Sequence, residues 1–76
     1  MTKASSVALP RIRVNGADEP LAAATIAEFL SQRGIDPAGP GLAVALNGAV
    51  VPRAQWQDEH LNEGDRIEIV HARQGG

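Results

Sequence analysis

The chain has 76 residues, a formal net charge of −2 and no cysteine. That bounds it to one small domain needing an efficient core, and it excludes disulfides, cysteine-held metal and a thiol nucleophile. The mildly acidic balance, with Lys3 its sole lysine and both signs interspersed, argues against nucleic acid, which requires a basic face.

Residues 1–9 are small, polar and aperiodic, and they are expected to form a flexible N-terminal extension to a domain spanning residues 10–72. They lack the apolar stretch and cleavage site of a secretory signal, and no later apolar run approaches a membrane span. The cytoplasm is therefore the expected compartment. Arg11-Ile12-Arg13-Val14 alternates polar and apolar, which predicts a half-buried strand with Ile12 and Val14 inward. Asn15-Gly16 opens a turn predicted to continue through Ala17-Asp18-Glu19. Pro20 permits a strand start or an edge strand but not a central one. Leu21-Ala22-Ala23-Ala24 reads as a short returning strand, although alanine itself favours helix.

Thr25-Ile26-Ala27-Glu28 has the form of a capping box, with Thr25 accepting from the amide of Glu28 and the Glu28 carboxylate reaching back. Ile26, Phe29 and Leu30 then form one apolar helical face. Gly34 fits the left-handed position after a helix end, with Ile35 touching Leu30. Residues 36–41, rich in proline and glycine, read as a loop. Leu42-Ala43-Val44-Ala45-Leu46 alternates large and small side chains. Asn47-Gly48 is the strongest short hairpin signal, and the return strand is Ala49-Val50-Val51, stopped by Pro52. Residues 53–64 read as a polar loop anchored by Trp56 and Leu61. Trp56 is expected to be a packing plug rather than a ligand-stacking ring, since Phe29 is the only other aromatic residue. Glu63-Gly64-Asp65 is a turn, and the last strand places Ile67 and Ile69 inward with Glu68 and Val70 outward. The first and last strands should lie side by side in the middle of the sheet. One helix on a mixed five-stranded sheet is an α+β arrangement.

Arg73-Gln74-Gly75-Gly76 follows the last strand as a flexible tail. Without Cβ atoms, Gly75 and Gly76 can pass through a channel too narrow for a side chain. No nucleophile–base pair or phosphate-binding loop is present. His60 and His71 have no ligand spacing, so no metal site is expected. His71 is expected near the strand end, where it helps place the tail. Asp58-Glu59, Glu63 and Asp65 read as solvated turns.

The run Val44-Ala45-Leu46-Asn47-Gly48-Ala49-Val50-Val51-Pro52-Arg53-Ala54-Gln55-Trp56 resembles the middle of the sulfur carriers of thiamine (thiazole) biosynthesis, the ThiS family. Gly64-Asp65-Arg66-Ile67-Glu68-Ile69 and the terminal Gly75-Gly76 resemble their last strand and tail, and the helix over residues 25–33 falls where theirs does. The resemblance covers residues 11–76 and implies a ubiquitin-like β-grasp fold. The extension in front of it departs from the family, whose members usually begin at the first strand.

The resemblance implies a carrier that is monomeric when free, not an enzyme, with no cofactor of its own. A ubiquitin-activating-type adenylyltransferase would use ATP and Mg²⁺ to adenylate the Gly76 carboxylate. A cysteine desulfurase or other sulfur donor would convert it to a thiocarboxylate, and thiazole synthase would receive the sulfur. The chemistry is consistent with this. A terminal carboxyl is ionised at neutral pH and can attack the α-phosphate of ATP, yet as a carboxylate it resists attack until activated. With no cysteine, the terminus is the reasonable place for covalent sulfur. Arg73, Gln74 and Gly75 would enter the partner. The exposed sheet face at Glu68 and Val70 would dock it, since the helix covers the other face. Three alternatives stay open: a sister carrier such as the small subunit of molybdopterin synthase, a carrier for cysteine synthesis or tRNA thiolation, and a non-covalent β-grasp interaction module.

Overall fold

The computed structural model describes residues 9–72. Residues 1–8 of the expected extension, and Arg73, Gln74, Gly75 and Gly76 of the expected tail, lie outside the described residues.

The first hairpin forms because Asn15 (φ 49°) and Gly16 (φ 86°) both take the left-handed conformation of a two-residue turn whose twist matches the strands it joins. It links β1 (Arg11–Val14) to the antiparallel β2 (Ala17–Pro20), with Val14 opposite Ala17 and Arg11 opposite Pro20. This corrects the expected returning strand at residues 21–24, which lies four residues too late. The turn ends at Gly16 rather than continuing through Glu19, so the chain pairs at once. Pro20 is tolerated because β2 is an edge strand and needs no donor on its open side. Residues 21–24 instead cross to the helix irregularly, burying Leu21 and Ala23 as they go.

Helix α1 (Ile26–Gln32) starts at Thr25, whose Oγ1 accepts the Glu28 amide at 3.2 Å. The Glu28 carboxylate reaches back to the Ala24 amide at 2.7 Å, one residue before the usual partner in a capping box. At the other end Gly34 takes φ 77°. The Ile35 amide returns to the Leu30 carbonyl at 2.9 Å and the Gly34 amide to Ser31 at 3.0 Å, completing the predicted C-terminal motif.

Strands β3 (Leu42–Leu46) and β4 (Ala49–Val50) form the second hairpin through Asn47 (φ 53°) and Gly48 (φ 88°). β4 is one residue shorter than predicted, although the Val51 amide still donates to the Val44 carbonyl at 2.9 Å. A short 3₁₀ turn (Arg53–Gln55) occupies the start of the segment predicted as loop. β5 (Arg66–His71) completes a five-stranded sheet in the order β2-β1-β5-β3-β4, with β5 parallel to β1 and antiparallel to β3. The first and last strands are neighbours, as predicted.

One face of this sheet is covered. Ile12, Val14, Val44 and Ile67 pack with Ile26, Phe29 and Leu30 of α1 in a single core that also takes in Leu21, Leu42, Val51, Trp56 and Leu61. A mixed sheet grasping one helix in this order is the ubiquitin-like β-grasp, the fold expected from the sequence.

Candidate functional site

Alternation along β5 determines which of its side chains face outward. Ile67 is fully buried, whereas Glu68 is exposed and Val70 is 58% exposed on the uncovered face, as the sequence predicted. Cross-strand register then gathers their neighbours. Ala43 lies opposite Val70, Ala45 opposite Glu68, and Val50, 76% exposed, opposite Ala45. Small alanines between two exposed valines leave a low apolar strip across β4, β3 and β5. Single exposed apolar side chains are ordinary on a protein surface, so it is their grouping on one uncovered face that makes this strip a candidate interaction surface.

At the other end of this face the surface is charged. Arg13 stands opposite Arg66 in the parallel β1–β5 pair, and with Arg11, Asp18 and Glu63 these side chains line a shallow groove of about 360 Å³. Arg11 donates to Asp18 through Nε at 2.9 Å and Nη2 at 2.6 Å. Arg13 and Arg66 make no ion pair with another described residue.

The last described bond before the tail joins β5 to the loop preceding β3. The Ala72 amide donates to the Gly41 carbonyl at 2.6 Å. Gly41 has φ 73°, and a Cβ there would lie 2.7 Å from the Ala72 carbonyl oxygen, so the close approach requires glycine. The sequence placed Gly41 only in a loop by composition. Its role depends on the β3–β5 register, which puts Leu42 opposite His71 and hence Gly41 beside Ala72. His71 ends β5, as expected, but its ring bonds to none of the described residues. The His60 Nδ1 lies 3.2 Å from the Asp58 carbonyl, and His60 forms an isolated bridge to Thr25, so its place is structural.

Arg73, Gln74, Gly75 and Gly76 were expected to carry the chemistry and the partner contacts, and they lie outside the described residues. The described residues themselves show an exposed face with an apolar strip and a charged groove, and a last backbone hydrogen bond at Ala72.

Comparison with known proteins gives a consistent result. The ThiS family profile matches residues 12–76. The sulfur carrier protein ThiS of Escherichia coli is 36% identical over 52 residues, covering 68% of this chain and 76% of that protein. The sulfur carrier protein ThiS of Thermus thermophilus is 35% identical over 63 residues, covering 83% and 95% respectively. Among solved structures, the thiamine biosynthesis protein (ThiS) of Geobacter metallireducens superposes with a TM-score of 0.72 at 26% identity, covering 87% of this chain and 99% of that one.

Proposed function

The chain belongs to the ThiS family, and we propose that it is a sulfur carrier of thiamine biosynthesis whose reacting group is the carboxylate of Gly76. The observation that carries this reading is the family match over residues 12–76 in a chain with no cysteine, which leaves no side-chain thiol to hold sulfur. The carrier is not itself an enzyme and binds no cofactor. A ubiquitin-activating-type partner in the cytoplasm supplies the ATP and Mg²⁺.

In the first step a carboxylate oxygen of Gly76 attacks the α-phosphorus of ATP and pyrophosphate leaves, giving an acyl-adenylate. The outer sulfur of a persulfide on the donor, a cysteine desulfurase or relay protein, then attacks the acyl carbon and AMP leaves. A thiol cleaves the resulting S–S bond, is oxidised to a disulfide, and frees the thiocarboxylate. Thiazole synthase accepts that sulfur. Arg73, Gln74 and Gly75 thread into each partner, while the face bearing Glu68 and Val70 rests against the partner's surface.

The test is reconstitution with the adenylating enzyme, ATP, Mg²⁺ and a persulfide donor, followed by intact-mass spectrometry. One carboxyl oxygen should be exchanged for sulfur, localised to the last peptide. Adding one alanine after Gly76 keeps a terminal carboxylate but moves it, and should slow charging by roughly a hundredfold, because a reacting group must meet its partner to within about 1 Å. An extended tail charged as fast as the original would sink the carrier reading and favour a non-covalent interaction module.

A further inference from the structure

We infer that Arg53 is a positioning residue for the C-terminal tail, acting through the loop before β3 on the last bond of the sheet. The functional part of this inference rests on the carrier reading; the structural part does not.

The guanidinium of Arg53 is held on two sides. Its Cζ lies 4.8 Å from the ring centroid of Trp56, a stacked cation–π arrangement. Trp56 cannot move, because it is buried and its Nε1 donates to the Val51 carbonyl at 2.8 Å. On its other side the guanidinium donates to three backbone carbonyls of one segment. Nη1 bonds to Pro37, and Nη2 bonds to Gly39 at 2.8 Å and to Leu42 at 3.3 Å. A planar fork with several donors can tie carbonyls that a lysine could reach only singly.

Those carbonyls bracket Gly41, whose own carbonyl accepts the Ala72 amide. The contact has no slack, since even a Cβ on Gly41 would collide with the Ala72 oxygen. A loop that shifts away therefore opens this bond and frees Ala72. Little else holds that end of β5. The β1 side pairs only as far as Ile67, and the Asn15 side chain brackets Ile69, accepting its amide at 2.8 Å and donating to its carbonyl at 3.4 Å. Beyond Ile69, pairing comes from β3 and the loop before it: Ala43 with Val70, Leu42 with His71, then Gly41 with Ala72. Arg53 is exposed, so it plugs no cavity. It fixes where and in what direction the chain leaves the sheet.

Amide hydrogen exchange on the whole protein tests the latch without any partner, in Arg53→Gln and Arg53→Lys. Exchange at Ala72 should quicken about tenfold or more in Arg53→Gln, a range typical of sub-global opening, while Ile69 keeps its rate. Arg53→Lys keeps the charge but loses the fork, and should quicken Ala72 nearly as much. With the adenylating enzyme, kcat should fall about tenfold or more while KM for the carrier holds, as expected when the reacting group is misdirected but docking is intact. An unchanged Ala72 rate in both variants overturns the proposal. So does a joint rise at Ala72 and Ile69 with a lowered melting temperature, which would make Arg53 a general brace. Failure of the unaltered chain to be adenylated would overturn the carrier reading alone, and the exchange rates would still decide the latch.

Discussion

At the scale of single residues, Trp56 joins three parts of the fold. It is 2% exposed, its indole N–H is bonded to the Val51 carbonyl, and its own carbonyl accepts the Ala27 amide of α1 at 3.0 Å. It thereby ties the segment after β4 to both hairpin and helix. Trp56→Ala removes a large buried ring and leaves the Val51 carbonyl without its donor. Truncations of this kind cost about 3–5 kcal/mol, and a small domain holds only about 5 kcal/mol or slightly more in all. Urea unfolding should show Trp56→Ala retaining no more than about 2 kcal/mol, with a midpoint far below the parent's, and wild-type stability in that variant would refute the plug. Trp56→Phe should lose less, because it keeps an apolar ring and forfeits mainly the hydrogen bond.

At the scale of elements, local turn chemistry explains most of the boundaries. α1 has only seven residues and would not persist alone. Its ends are set by Thr25 at the start and Gly34 after its last turn, and its position by the burial of Ile26, Phe29 and Leu30. Thr25→Ala should cost about 1 kcal/mol by freeing the Glu28 amide, seen as a lower urea midpoint with an unchanged slope. These features were legible in the sequence because each depends on residues within a few positions of one another. The same holds for the Asn47-Gly48 hairpin and for the inward Ile67 and outward Glu68 and Val70. Asn15-Gly16 carried the same signal as Asn47-Gly48, but the expected turn ran on through Ala17-Asp18-Glu19, a polar run without the alternation of a half-buried strand. An edge strand may be polar because little of it is buried, and β2 buries none of its residues. Gly41 and Arg53 could not be read as parts of the site. Their meaning comes from the β3–β5 register and from a loop folding back onto the 3₁₀ turn, contacts between segments far apart in the chain.

At the scale of the whole molecule, the two faces of the sheet differ in what covers them. One is spent on the core beneath α1. The other is open, and under the proposed carrier function it is the face expected to dock the adenylating partner. Val70 and Val50 are its prominent apolar side chains, and Glu68 sits between the apolar strip and the arginines. In docking surfaces a few well-placed side chains carry most of the affinity, and truncating or reversing one costs tenfold or more in Kd. Val70→Asp and Glu68→Arg should each weaken binding to the adenylating enzyme by about tenfold, measured by isothermal titration calorimetry. Their unfolding free energies should stay within about 0.5 kcal/mol of the parent, because neither side chain is buried. Gln32→Arg, on the exposed side of α1, provides the control, since it adds charge without touching the open face. A loss of affinity in Gln32→Arg with none in Val70→Asp would place the partner on the helix side, and the open strip would then have no part in presenting the tail.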